Sequence, residues 1–209
     1  MQRLAGFVCT WFLMCHLPAR AQVIEFESNG LKYQTLSRSG VTVMFAHLPN
    51  HLHEYSAIQV AVSNGSKGPY VIKPEDFTYE LDGGVAIHAA PAKTVIAMLM
   101  QKGSGADVVK LITAYESGVY GNPRMRSTNG YESRRQAALA WNSTKLKAAA
   151  AASALALVVT KLAPTESTDG AVFFATEGKP LVGGRVVVRT NTDTFQFNPD
   201  APAGHAGSW

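Results

Sequence analysis

Apolar and polar positions change their period twice along the chain. From Leu31 to His88 the pattern is that of strands, in Leu31–Leu36, Val41–Phe45 and Ala57–Val62. Ser39-Gly40, Asn64-Gly65-Ser66 with Gly68-Pro69, and Asp82-Gly83-Gly84 supply the backbone freedom and fixed φ that tight reversals need. Phe77–Leu81 and Val85–His88 flank the last of these turns and predict a hairpin. Past Pro91 the period lengthens: Val108, Leu111, Ile112 and Tyr115 form one helical face, with Ser104 and Asp107 at capping-box spacing before it. Val95, Ile96 and Leu99 predict a shorter helix ahead of Gly103, and Asn129 with Glu132 starts another after the break at Gly118, Gly121 and Pro123. From Tyr131 to Thr160 there is neither Gly nor Pro, and a continuous helix there would be about 45 Å long. After Pro164 strands return, in Gly170–Ala175, Arg185–Arg189 and Thr194–Phe197. Two strand blocks split by a helical segment predict a mainly β domain, a β-sandwich over residues 22–198 with an α insertion at about 91–161, because neither block alone closes a core.

The N-terminus reads differently. Arg3 precedes an apolar run from Leu4 to Leu17 that ends in Pro18-Ala19-Arg20-Ala21, the layout of a secretory signal peptide over residues 1–21 with cleavage between Ala21 and Gln22. The run is shorter than the roughly 20 apolar residues a spanning helix needs. A lipid anchor at Cys15 is the rival reading, opposed by the bulky Met14 before it. Export to the periplasm or the extracellular space is therefore expected. Both cysteines, Cys9 and Cys15, would leave with this peptide, and with them thiol catalysis, disulfides and Cys-ligated zinc. The mature chain would keep 17 basic against 15 acidic side chains, so its net charge names no partner. The tail over residues 199–209 is rich in Ala, Gly and Pro and is expected to pack little.

Ile58–Ser66, Pro74–Tyr79 and Leu162–Phe173 together resemble segments of exported bacterial immunoglobulin-like domains of the immunoprotective-extracellular-antigen type. In that pattern an Asn-x-Ser closes a central strand, an Asp-Phe begins the next, and a Pro, Glu-Ser, Gly, Val-Phe run opens a late strand. The resemblance implies a small secreted or lipid-anchored immunoglobulin-like β-sandwich and supplies no catalytic residue. Thr165 departs from it, standing where a Gly usually follows the Pro, and the stretch from Pro91 to Lys161 has no counterpart in it.

Candidate chemistry is sparse. His47, His51 and His53 lie close together with Glu54, and the His-x-His pair would project to one side if the piece were extended, a possible zinc or copper site. Pro49-Asn50 argues instead for a turn with solvated histidines. Serines are plentiful, but none sits in a Gly-x-Ser-x-Gly elbow, and Ser104 reads as a helix cap. Glu75-Asp76 reads as turn chemistry, and Gly183-Gly184-Arg185 enters a strand rather than a phosphate-binding helix.

The strongest bias is the cluster Arg124, Arg126, Arg134, Arg135, Lys145 and Lys147, opposed by Glu132 alone. The cluster reads either as an ordinary solvated helix face or as a docking patch; an exported protein meets anionic lipid, acidic wall polymers and protein partners rather than chromosomal DNA, so docking would be to an envelope component, with no nucleic-acid role. Behind it, Ala148–Val159 is uncharged and too short to cross a membrane; it predicts a helix packed closely on the sheet or another helix, or one lying on a membrane surface. A non-enzymatic envelope or extracellular binding module without a cofactor ranks first. The alternatives are a periplasmic metal-binding protein using His51 and His53, or an enzyme lacking a recognised motif.

Overall fold

The computed structural model describes residues 22–49, 51–121 and 130–197. The signal-like segment, Arg124, Arg126, the helix start at Asn129 and the tail from 199 onward lie outside the described residues. The chain forms β1 (Ile24–Ser28), β2 (Leu31–Arg38), β3 (Val41–His47), β4 (Tyr55–Asn64), β5 (Tyr70–Ile72), β6 (Phe77–Leu81) and β7 (Ala86–Ala90). Among the described residues four helices follow: α1 (Ala92–Lys102), α2 (Gly105–Gly121), α3 (Tyr131–Leu139) and α4 (Thr144–Leu155). The chain then returns to β8 (Thr160–Leu162), β9 (Ser167–Ala175), β10 (Gly184–Arg189) and β11 (Thr194–Gln196).

The molecule is mainly β, with one large antiparallel sheet in the order β1-β2-β3-β4-β9-β7-β6-β10-β11 and a small β5-β8 pair. Strands from before and after the helices are thus interleaved: β9 enters between β4 and β7, and β10 between β6 and β11. The corner is β7. Its first residues pair with β6, Ile87 opposite Tyr79, while Ala89 and Ala90 pair with Phe174 and Phe173 of β9. A strand shared in this way lets the sheet bend back on itself. Arg38 Nη1 donates to Thr194 O at 2.6 Å, Ser39 Oγ donates to Asp193 Oδ1 at 2.8 Å, and the Phe45 and Phe197 rings meet edge-on at 4.8 Å across the curl.

Alternation along the strands sorts the core into two sides. Ile58, Val60 and Val62 of β4 and Val172 and Phe174 of β9 point inward, where they pack with Phe45, Phe77, Val186, Val188 and Phe195. Ala57, Ala171 and Phe173 point the other way, against Val95, Leu99, Leu111, Tyr115 and the alanines of α4. Burial of each large apolar side chain contributes roughly 1.5–3 kcal/mol before conformational entropy is set against it.

The helical stretch from Tyr131 is not continuous. It breaks at Ala140–Ser143, and α4 stops at Leu155 although the sequence stays helix-permissive. Tertiary pairing ends it: Leu157 N donates to Ala171 O at 2.9 Å, and Ala156 bridges Ala171, drawing the chain onto β9. The Ala run does not supply an apolar face to a membrane surface, since Ala148, Ala149, Ala151, Ala152, Ala154 and Leu155 are all buried against the protein. Small side chains permit that close fit. Gly118 of α2 rests on Gln59 so tightly that a Cβ there would fall 1.6 Å from Gln59 Oε1.

The segments carrying the family resemblance meet at Asn64, which is fully buried at the end of β4. Its Nδ2 donates to Gly68 O and Leu162 O, and its Oδ1 accepts from Ser66 N and Oγ. Its own backbone bonds Glu166 O and Thr165 N, so the Asn-x-Ser and Pro-Thr-Glu turns are one junction. Thr165 there has φ +73°, a left-handed conformation that a β-branched residue adopts only under strain.

Two substitutions follow from this backbone geometry. A Cβ at Gly170 would lie 2.5 Å from Leu157 Cα, so Gly170→Ala is expected to cost roughly 1–3 kcal/mol in urea unfolding. Thr165→Gly relieves the left-handed strain and is expected to gain about 1 kcal/mol, read as a higher urea midpoint at unchanged slope.

Candidate functional site

Two regions on opposite faces of the sheet concentrate polar groups. On the inner face the curl leaves a cleft of about 660 Å³ between β1–β3 on one side and β6 with residues 181–184 on the other. Glu25, Gln34 and Phe45 stand in one cross-strand row, and Glu27 and Lys32 in the next. Gln34 Nε2 donates to Glu25 Oε1 at 2.6 Å. Across the cleft lie Tyr79, Asp82, Leu181 and Val182. His47 sits between the two walls, its ring edge-on to Phe45 at 5.5 Å and to Tyr79 at 6.0 Å. Desolvation lowers its pKa from the usual histidine value, although the residue stays exposed on the cleft side. Burial, with the Asp82 charge added, raises the pKa of Tyr79 and keeps its phenol protonated.

On the outer face α1–α4 form a layer over β4 and β9. The described residues that supply this layer, 91–121 and 130–155, carry seven Lys and Arg against three Asp and Glu; the other described residues carry eight against eleven. The layer is therefore the basic side of a molecule whose average charge is small. Lys93, Lys110, Lys145 and Lys147 make no ion pair among the described residues. Trp141, 51% exposed, projects from the turn between α3 and α4, just ahead of Lys145.

The expected basic cluster is not one uniform surface. Arg135 pairs with Glu116 of α2, and Arg134 Nε donates to Ala154 O at 3.0 Å near the end of α4. These two arginines tie helices together, whereas Lys145 is exposed and Lys147 half-exposed. Beneath them, Tyr115 OH donates to Asp169 Oδ2, and the Tyr115 and Tyr131 rings meet at 4.9 Å. Burial and the Asp169 carboxylate push the Tyr115 phenol well above its ordinary pKa, which keeps it a donor.

The three histidines are not brought together. His47 faces the cleft, and His53 adopts φ +53° in a turn, so the extended geometry that would align it with the exposed His51 is absent. Among the described residues no three His, Cys, Asp or Glu side chains are grouped to hold a metal ion. His53 Nε2 instead donates to Asp107 Oδ2 at 3.1 Å. Asp107 also accepts from Ser104 N and Oγ, the capping box that starts α2.

Sequence reasoning missed most of the cleft, because its walls come from segments about 150 residues apart. The readable signal was Ile24-Glu25-Phe26-Glu27, an apolar-acidic alternation of period two that places both carboxylates on one face of a strand. Compared with known proteins, the chain matches no family model, no curated protein and no solved structure. Among the described residues no helix is long and apolar enough to cross a membrane.

Asp107 yields a prediction about acid stability. Burial alone would raise its pKa, but the Ser104 hydroxyl, the Ser104 backbone N–H and His53 outweigh that and lower it. A depressed carboxylate pKa stabilises the fold fully above the unfolded value near 3.8, and the contribution is lost as pH falls through the lower folded value. Asp107→Asn is therefore expected to lower stability at neutral pH by about 1–2 kcal/mol and to flatten its decline below about pH 4, measured as urea midpoints against pH.

Proposed function

We propose that this chain is an exported, non-enzymatic binding module that docks to an anionic envelope surface through its helical layer. The observation that carries this reading is the segregation of charge: the helical stretch is strongly basic while the sheet segments are acidic. Lysines without ion-pair partners keep their full charge for an external anion, and each one near an anionic lipid surface contributes about 1 kcal/mol at low to moderate salt. Trp141 adds an amphipathic ring suited to the headgroup region. The signal-like N-terminus supports export to the periplasm or beyond. The sheet is read as an elaborated immunoglobulin-like sandwich, since its two halves enclose one core and its motif residues converge on Asn64.

Vesicle co-sedimentation tests the docking. The purified protein is expected to bind phosphatidylglycerol vesicles and not phosphatidylcholine vesicles, with binding falling as salt rises. Reversing Lys93, Lys110, Lys145 and Lys147 to Glu should reduce binding at least tenfold with the circular dichroism spectrum unchanged. Arg134 and Arg135 are left intact because they hold helices together. Equal binding to both vesicle types, or unaltered binding by the four-lysine variant, removes this function.

A further inference from the structure

The cleft on the inner face has the chemistry of a cation site. Three carboxylates, Glu25, Glu27 and Asp82, face it against one ammonium, Lys32. Glu27 and Asp82 have neither an ion pair nor a side-chain hydrogen bond among the described residues. Tyr79 supplies an independent pointer. It is 2% exposed, it lines the cleft, and its hydroxyl meets no hydrogen-bond partner among the described residues. The ring is buried but its oxygen is not sealed off, so the hydroxyl stands open to hydrogen-bond a group that enters the cleft. Leu181 and Val182 give the same space an apolar wall.

The strand beside the cleft narrows the ligand further. β1 closes one end of the sheet and pairs only with β2, so from Ile24 to Glu27 one backbone edge has no strand beside it among the described residues. A strand added there would set every second side chain next to Glu25 and Glu27, on the cleft side.

We propose that the cleft binds an extended basic peptide, which pairs with the open edge of β1 and places a lysine or arginine side chain between Glu25, Glu27, Asp82 and the Tyr79 hydroxyl. The apolar stem of that side chain lies along Leu181 and Val182 while its charged head reaches the carboxylates. The site lies on the face of the sheet opposite the helices, so it stands or falls separately from vesicle docking.

Fluorescence anisotropy with a labelled Lys-Val-Lys-Val-Lys peptide tests it on the intact protein. Binding is expected for this peptide and not for Glu-Val-Glu-Val-Glu. A Glu25→Gln, Glu27→Gln, Asp82→Asn variant should bind at least tenfold more weakly; all three positions are exposed, so the fold should survive, checked by thermal unfolding. Tyr79→Phe should weaken binding several-fold, and two peptides N-methylated at one or the other set of alternate residues should include one that fails to bind. The proposal is overturned if the acidic peptide binds equally, if the carboxamide variant keeps full affinity, if both methylated peptides bind normally, or if free cadaverine binds as tightly as the peptide.

Discussion

The pairing of β4 with β9 is the constraint on which the rest of the molecule depends. It runs from Tyr55 opposite Ala175 to Ser63 opposite Ser167, joining segments on either side of the helices. Both strands are buried on both faces, so neither can be satisfied without the inner core and the helical layer at once. Contacts so far apart in sequence require a large loop to close before they stabilise anything. Here the loop closes on itself: β7, which leads into α1, lies beside β9, which the chain reaches after α4. Exit and return are neighbours in the sheet. An insertion of four helices can therefore grow between them without parting the strands.

What fills the insertion follows from how close it must come. α4 packs against α1, α2 and α3, and it approaches with alanines because bulkier side chains would hold the helices apart. A Cβ on Gly103 would lie 3.0 Å from that of Ala148, and Gly118 sits on Gln59 in the same tight manner. With the interior made of small apolar groups, the long cationic side chains have no place inside. They are displaced to the outer surface, except where Glu116 and the Ala154 carbonyl hold Arg135 and Arg134. The basic face of the layer is thus partly a product of its packing.

The strands with strong β-rich patterns, from Leu31 to His88 and from Gly170 to Phe197, were legible in the sequence, as were the α1 and α2 faces and the Ser104–Asp107 cap. β5 and β8 were not, because three residues each, Tyr70–Ile72 and Thr160–Leu162, carry no period and become strands only by meeting one another. β1 escaped for a related reason, its alternation being short and adjacent to the signal-like segment. The Tyr131–Thr160 stretch misled because local propensity is indifferent to what Ala171 demands of Ala156 and Leu157. His51 and His53 misled because alignment on one side requires extended backbone, and a turn at residue 53 removes it. The departure at Thr165 was legible as a departure, but only its positive φ explains why Gly suits the position.

Net charge was the least informative number for function, since 17 basic and 15 acidic side chains average to almost nothing. The fold undoes the average by placing basic helices on one face of β4 and β9 and the carboxylates of Glu25, Glu27 and Asp82 around a cleft on the other. At physiological ionic strength charges are screened beyond about 8 Å, so an anionic surface responds to the nearest layer and hardly at all to the whole molecule. Contact through the helices is then attractive, while contact through the sheet meets like charge. On the docking proposed above, the same separation turns the cleft away from the anionic surface. A molecule bound through its basic face would present an acidic, partly apolar recess to whatever lies beyond it, which is the orientation a tethered receptor for basic segments requires.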